Sequence, residues 1–102
     1  MGDLLLNFIG IARRAGKLTI GADPVRESIE KKKAKLILTA NDVSKNTYKD
    51  MLREAEKSGV ELLILNRTKE EISYALGKTT AVMAVEDEGF VKKIKELNSA
   101  DK

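Results

Sequence analysis

The sequence predicts an α/β protein, a three-layer α/β/α sandwich with a four-stranded mixed sheet at its centre. The 102 residues are 42% hydrophobic and 34% charged, a composition typical of a folded chain with one core. The spacing of apolar residues switches repeatedly between a helical period and short strand patterns, in the order α-β-α-β-α-β-α-β-α. This alternation indicates a sheet between helical layers, in one domain over residues 1–102.

The first helix and strand lie before residue 21. Apolar residues recur at helical spacing from Leu4 to Ala12, which predicts a helix over residues 3–15. Residues 17–20 alternate in polarity and predict a short, half-exposed strand. Gly21 follows, where a turn needs backbone freedom that a side chain would restrict.

The second helix is predicted to begin at Asp23-Pro24. Asp accepts hydrogen bonds from the free N–H groups of a first turn, and Pro at the first helical position lacks a donor that has no partner there. Residues 36–38 form a continuous apolar run, as expected for a strand covered on both faces. The polar segment 41–44 ends that strand and caps a third helix.

The C-terminal half continues the alternation. Residues 62–65 predict another buried strand. Thr68 and Glu71 have the spacing of a capping box, and the helix that they open ends at Gly77. Residues 81–85 predict the last strand, and Asp87 caps the final helix.

The composition excludes several kinds of site. Without His or Cys the chain has no imidazole base, thiolate nucleophile, disulfide or common zinc site, although carboxylates could still hold magnesium. We expect no catalytic residue, metal site or cofactor. No apolar run reaches the roughly 20 residues of a membrane span. Arg13 and Arg14 follow the N-terminal apolar stretch, whereas a secretory signal has its basic residues first, so we expect a cytoplasmic protein.

Positive charge is concentrated in the first third of the chain. The whole sequence has a net charge of +3, and residues 1–35 hold eight basic against four acidic residues. A basic third on an otherwise neutral domain indicates a surface that meets a polyanion. For Lys31, Lys32 and Lys33 alone, a helix end exposed to solvent is the alternative interpretation.

Three polar loops are predicted to meet at one edge of the sheet, beside the basic third. Loops that leave the carboxyl ends of strands collect at one edge, and each of these runs into a helix N-terminus, which favours anions such as phosphate. Capping and turn formation alone would also account for Asp23, Asn41, Ser44 and Thr68. The candidate nucleic-acid-binding residues are Lys17, Gly21, Ala22, Asp23, Arg26, Asn41, Asp42, Lys45, Arg67, Thr68 and Lys69.

These loops also carry a family resemblance. Residues 21–30 open a helix with glycine, residues 34–43 form an Ala-Lys-apolar strand that leads to an acidic turn, and residues 68–77 hold a Thr-Lys-Glu-Glu-Ile segment before Ala-Leu-Gly. On these motifs, nearly the whole chain resembles the kink-turn RNA-binding ribosomal-protein family, as a short bacterial homologue. The resemblance implies a non-catalytic protein that recognises structured, kink-turn-like RNA in a ribosome or translation context.

The resemblance also implies roles for particular residues. Archaeal members open this helix with Gly-x-Asn-Glu-x-x-Lys and read guanines of sheared G·A pairs with its polar residues. Gly21 keeps the glycine, whereas Asp23, Pro24 and Glu27 replace the Asn, Glu and Lys. Asp23 can accept from guanine N1–H and N2–H but cannot donate as Asn does.

The RNA-binding hypothesis assigns a role to each group of residues. Backbone amides at Gly21 and Ala22 allow close approach of RNA, and the cations Lys17, Arg26, Lys45 and Lys69 neutralise phosphates. Apolar residues of the last strand–helix loop support a flipped base. The expected partners are structured RNA, such as ribosomal RNA, and the ribosome, with the chain as a monomer.

Two other function classes fit parts of the sequence. A protein-interaction module in a translation or ribosome-assembly complex is favoured by Glu27 and by the mixed charges of the third helix. An enzyme with Asp42 as a phosphoacceptor, as in response-regulator receivers, needs an acidic pair after the first strand and a Lys on a fifth strand. The sequence supplies one acid there, Asp23, and four strands.

Overall fold

The computed structural model describes residues 3–100, in which helices and strands alternate as the sequence predicts. The elements are α1 (Leu4–Arg14), β1 (Leu18–Ile20), α2 (Ala22–Glu30), β2 (Leu36–Thr39), α3 (Lys45–Ser58), β3 (Glu61–Ile64), α4 (Lys69–Leu76), β4 (Val82–Val85) and α5 (Glu88–Ala100). No helix among these residues is both long and apolar enough to cross a membrane.

The four strands form one mixed sheet in the order β1-β4-β2-β3. Strand β4 is antiparallel to both β1 and β2, and β3 is parallel to β2. Strands β1, β2 and β3 therefore run in one direction and end at the same edge of the sheet. Strand β4 runs the other way and begins at that edge.

Helices cover both faces of the sheet, which confirms the three-layer prediction. Helices α1, α4 and α5 contribute Ile9, Ile72 and Ile94 to a core on one face. Helices α2 and α3 contribute Val25 and Met51 to a core on the other. The central strands β2 and β4 are buried along their whole length because they have neighbours on both sides and helices on both faces.

Most predicted helix starts are confirmed. The Ser44 hydroxyl accepts from the Thr47 N–H at the start of α3. Thr68 and Glu71 form the reciprocal capping box of α4. The Asp87 carboxylate accepts from two N–H groups in the first turn of α5.

Two local predictions are wrong. Helix α2 begins at Ala22, with Gly21 as its N-cap residue at φ 102°, so Asp23 lies inside the first turn and does not cap the helix. Residues 62–65 are not a buried strand, because β3 spans Glu61–Ile64 at the edge of the sheet and pairs with β2 alone. The Ile64 side chain is 45% exposed as a result.

Candidate nucleic-acid interface

The three predicted loops meet at one edge of the sheet, and a fourth joins them. The fourth is the segment that leads from α4 into β4. We call this surface the loop edge and define it as residues 21–26, 41–45, 66–69 and 78–81. Backbone hydrogen bonds of 2.9 Å run from Gly21 N–H to Val82 C=O, from Ala40 N–H to Ala81 C=O, and from Asn41 N–H to Arg67 C=O.

The first loop turns sharply at Gly21. Its φ of 102° lies in a region that residues with a side chain rarely adopt, and its carbonyl accepts from Val25 N–H in the first turn of α2. Asp23 projects into solvent with a side chain that is 95% exposed. Glycine backbone and an exposed carboxylate are therefore neighbours on this loop.

The second and third loops are joined through Asp42. The Asp42 carboxylate accepts a 2.8 Å hydrogen bond from Lys69 N–H, the first residue of α4. Asp42 thus satisfies one of the free N–H groups at a helix N-terminus that belongs to a different loop. Asn41, Lys45 and Lys69 are exposed, and Thr68 is half-buried by its capping role.

Helices α2, α3 and α4 all begin at the loop edge. Each N-terminus directs the positive end of its dipole toward this surface, and at α4 the Lys69 and Glu71 N–H groups already donate to Asp42 and Thr68. The surface therefore combines amide donors with the exposed cations Lys45 and Lys69. This arrangement can hold phosphate oxygens and present Asp23 to a base edge.

The Arg67 side chain is ion-paired with Asp3 at the start of α1, and its role as a phosphate partner stays a prediction. Its Nε and Nη2 groups lie 2.6 Å and 3.0 Å from the two Asp3 oxygens, and its side chain is only 12% exposed. Asp3 also caps α1 by accepting from Leu6 N–H. The hydrogen bond from Arg67 is the main reason that the pKa of Asp3 lies below its usual value. Arg67 contributes its backbone to the loop edge and its guanidinium to stability.

Arg26 is also engaged by carboxylates. Its guanidinium lies 2.9 Å from Asp23 on the same helix and 3.5 Å from Asp50 on α3. This ion-paired cation is half-buried and bridges the two helices that cover one face of the sheet. RNA phosphates would compete with two carboxylates for it.

Lys17 lies at the opposite edge of the sheet from the other candidates, so its predicted place beside the loops is wrong. Its carbonyl accepts from Glu86 N–H, at the point where β4 ends and β1 begins. The last strand–helix loop, residues 86–87, lies at that edge too and cannot support a base bound at the loop edge. Much of the basic third of the chain, residues 31–35, also lies at that edge, because Lys35 N–H donates to Val85 C=O at the end of β4. The prediction that this basic segment adjoins the loops is wrong.

The fourth loop was not predicted from the sequence. Residues 78–81 carry the exposed Lys78 and Thr79, beside a cavity of 510 Å³ that Lys69 and the 92% exposed Tyr74 also line. This segment leads into a strand, whereas the rule used for the prediction considers only loops that follow the ends of strands. The rule therefore does not predict that residues 78–81 belong to the site. The signal that could have found it is the direction of β4, which depends on pairing and not on local sequence.

Among residues 3–100, no group of three or more acidic side chains is arranged to hold a metal ion. The Asp42 carboxylate, the candidate phosphoacceptor, is instead hydrogen-bonded to a helix N-terminus. The loop edge offers backbone amides, exposed cations and two exposed carboxylates, Asp23 and Asp42, of which Asp42 already accepts from Lys69 N–H.

Residues 5–95 match the model of the ribosomal protein L7Ae/L30e/S12e/Gadd45 family. Two relatives, both described as the RNA-binding protein YlxQ, are similar along most of their length. The one from Enterococcus faecium is 39% identical over 92 residues, which cover 90% of this chain and 88% of the relative. The one from Bacillus subtilis strain 168 is 32% identical over 91 residues, 88% of this chain and 90% of the relative.

Two solved structures share the fold. A Bacillus halodurans C protein of unknown function superimposes with a TM-score of 0.86 at 23% identity, covering 96% of this chain and 99% of the other. The 15.5kD RNA binding protein of Giardia lamblia superimposes with a TM-score of 0.74 at 18% identity, covering 94% of this chain and 82% of the other. At these identities the likeness shows a common architecture.

Proposed function

The chain belongs to the ribosomal protein L7Ae/L30e/S12e/Gadd45 family, and on that premise we propose that it is a non-catalytic RNA-binding protein that recognises a structured, kink-turn-like element. The names of both YlxQ relatives describe RNA binding, which supports the proposal. The partner class is structured RNA in a ribosome or translation context. The protein acts as a cytoplasmic monomer with a single domain over residues 1–102.

One observation carries this proposal: the loops after β1, β2 and β3 are hydrogen-bonded into a single edge at which three helices begin. Proteins recognise RNA mainly by shape and by bases that irregular elements splay out. A rigid edge of backbone amides fits such an element better than a broad aromatic surface does. The chain has only two Phe and two Tyr, which disfavours stacking along a single strand.

Within this edge, Asp23 is the residue proposed to read a base. Its carboxylate is exposed and can accept from the N1–H and N2–H groups of guanine. Gly21 and Ala22 let the RNA backbone approach, since glycine has no side chain in the way. Lys45, Lys69 and Arg26 are proposed as phosphate contacts. Asn41, Asp42 and Thr68 are proposed as polar RNA-binding residues of the same edge, and Arg67 positions its loop.

The test compares an RNA that contains a kink-turn with a regular duplex of equal length, across a range of salt concentrations. We expect tighter binding to the kink-turn. Asp23→Ala should weaken kink-turn binding about 10-fold and leave duplex binding unchanged, because a bidentate base contact contributes on the order of 1–3 kcal/mol. Glu56→Gln, which alters another exposed carboxylate on α3, is the matched control. Equal weak binding to both RNAs would leave only nonspecific electrostatics and contradict the proposal.

A protein-interaction module is the second candidate, favoured by a groove between α1 and α4. This groove has a volume of 390 Å³ and is lined in part by Ile11 and Tyr74, whose side chains are 44% and 92% exposed. Exposed apolar side chains beside a groove are typical of protein contacts. Recovery of one partner after nuclease treatment, lost in an Ile11→Ser/Tyr74→Ser variant, would favour this function over RNA binding.

A further inference from the structure

Five lysines lie at the edge of the sheet opposite the loop edge. They come from the start of β1 and from the turn between α2 and β2. The Lys17 carbonyl accepts from Glu86 N–H at 2.9 Å, and Lys35 N–H donates to Val85 C=O at 2.7 Å, so both segments adjoin the end of β4. We call this surface the lysine edge; its members are Lys17, Lys31, Lys32, Lys33 and Lys35.

Most of this charge is unpaired. All five side chains are exposed, and only Lys31 forms a salt bridge within residues 3–100, at 2.9 Å to Glu27. The nearby Glu86 carboxylate is occupied by hydrogen bonds from Ser28 and Thr19, at 2.6 Å and 2.8 Å. Lys17, Lys32, Lys33 and Lys35 thus form no salt bridge within residues 3–100, although Lys17 and Lys33 are close enough to Glu86 to lower its pKa. Their exposed ammonium groups can meet an anionic partner.

Lys32 has a backbone conformation that favours glycine. Its φ of 61° is the only positive φ of a residue other than glycine in the part of the chain that the structure describes. The turn ends α2 with a hydrogen bond from Lys32 N–H to Ile29 C=O at 3.0 Å. A left-handed residue after a helix is usually glycine, because a side chain there is strained. Lys32 therefore places an ammonium group at this edge in a backbone conformation that glycine would adopt with less strain.

We propose that the lysine edge binds the phosphate backbone of a regular RNA helix, separate from the element recognised at the loop edge. Taking RNA as the ligand rests on the proposed function. Flexible, hydrated lysine charges suit the repeating phosphates of a duplex and carry no sequence preference. The large apolar side chains exposed within residues 3–100, Leu4, Ile11, Ile64 and Tyr74, all belong to other surfaces, which disfavours a protein interface here.

The two edges are too far apart to contact the same base pairs. Strand β2 has four residues, so the Cα atoms at its ends are about 10 Å apart before the loops at either end are added. The longest dimensions of the molecule are 39, 28 and 24 Å. One protein can therefore contact two segments of a folded RNA, one at each edge.

The first experiment titrates a regular RNA duplex with the wild-type protein and with a Lys32→Gln/Lys33→Gln/Lys35→Gln variant at several salt concentrations. Removing one lysine–phosphate interaction should reduce the slope of log affinity against log salt by nearly one, so we expect a reduction of about 2 to 3. A Lys49→Gln/Lys92→Gln/Lys93→Gln variant removes equal charge from α3 and α5 and should keep the wild-type slope. An equally large reduction in both variants, or none in either, would overturn the proposal.

The second experiment uses Lys32→Gly, which separates binding from folding. Glycine relieves the strain at φ 61°, so the melting temperature should rise by a few degrees while duplex affinity falls. Unchanged duplex affinity in this variant would contradict a role for the Lys32 side chain. Displacement of the duplex by an equal charge of polyglutamate would indicate an acidic protein partner and overturn the assignment to RNA.

The outcomes separate the two proposals. A wild-type protein that does not prefer the kink-turn, but loses duplex binding when the lysine edge is neutralised, contradicts the proposed function and supports this inference. A preference for the kink-turn, together with a duplex affinity that is unchanged when the lysine edge is neutralised, supports the proposed function and contradicts this inference.

Discussion

Thr39 is the clearest case of a single residue at odds with its surroundings. It is fully buried at the end of β2, and its hydroxyl is the one buried side-chain group without a hydrogen-bond partner within residues 3–100. An unsatisfied buried hydroxyl destabilises a folded protein. Thr80, buried two residues before the neighbouring strand β4, instead donates to Val82 C=O at 2.8 Å and accepts from Val82 N–H.

This contrast predicts opposite effects of the same substitution. Thr39→Val removes an unpaired hydroxyl and should raise the free energy of unfolding by about 1 kcal/mol. Thr80→Val removes two hydrogen bonds and should lower it by about 1–2 kcal/mol. Urea unfolding of both variants is the measurement. A loss of stability in Thr39→Val as large as that in Thr80→Val would contradict the prediction.

Elements of this fold could be predicted where their cause is local. The capping signals at Ser44, Thr68 and Asp87 depend on residues within one turn, and all three helices begin where those signals indicate. The predicted start of α2 is wrong because Asp23-Pro24 is a strong signal, whereas the backbone of Gly21 makes the turn before it. The exposure of β3 and the direction of β4 depend on pairing between distant segments, which local patterns do not reveal.

The candidate site follows the same rule. The convergence of three loops was predictable because it needs only strands that run in one direction. The partners of Arg26 and Arg67 were not, since Asp50 and Asp3 lie far from them in sequence or on another element. The predicted place of Lys17 is wrong because Lys17 precedes β1. It therefore lies at the edge where β1 begins, opposite the edge where β1 ends and the loops meet.

Asp42 connects two elements of the loop edge and provides a prediction at this scale. Asp42→Ala removes the acceptor for Lys69 N–H, so that amide should exchange with solvent faster and stability should fall by about 0.5 kcal/mol. Kink-turn affinity should fall several-fold, because the second loop and α4 lose a connection. Amide exchange by NMR and an RNA titration measure both.

The control is Asp42→Asn, which keeps an acceptor oxygen at the same place and should preserve most of the exchange protection. Unchanged exchange at Lys69 in Asp42→Ala would show that the hydrogen bond does not hold the two loops together.

At the scale of the whole molecule, the sheet separates two kinds of surface. The antiparallel β4 places the end of the last strand, with Lys17 and Lys33 near Glu86, opposite the edge where the loops meet. Although the net charge of the whole sequence is only +3, five lysines are therefore concentrated on one surface. A partly buried carboxylate with a lowered pKa lies at or near each edge, Asp3 near the loop edge and Glu86 at the lysine edge.

Both carboxylates have a lowered pKa, for different reasons. The hydrogen bond from Arg67 chiefly lowers the pKa of Asp3. For Glu86, burial raises the pKa, but hydrogen bonds from Ser28 and Thr19 and the nearby lysine charges outweigh it and leave the pKa below its usual value. In the unfolded chain the two pKa values return to about 3.8 and 4.5. Unfolding in acid therefore takes up protons. The stabilisation that the two ionised carboxylates provide is complete above the unfolded pKa values and is lost as the pH falls through the folded pKa values.

This linkage predicts that the melting temperature falls as the pH drops below the unfolded pKa values of about 4.5 and 3.8. Asp3→Asn, which can still cap α1, and Glu86→Gln should each cost about 1 kcal/mol at neutral pH and make the acid decline shallower. Because the two carboxylates lie at opposite edges of the sheet, the effects should add in the double variant. Thermal unfolding across this pH range measures all four proteins. A double variant that declines as steeply as the wild type would show that other carboxylates govern the acid stability, since the removed charges could not then be the groups that take up protons.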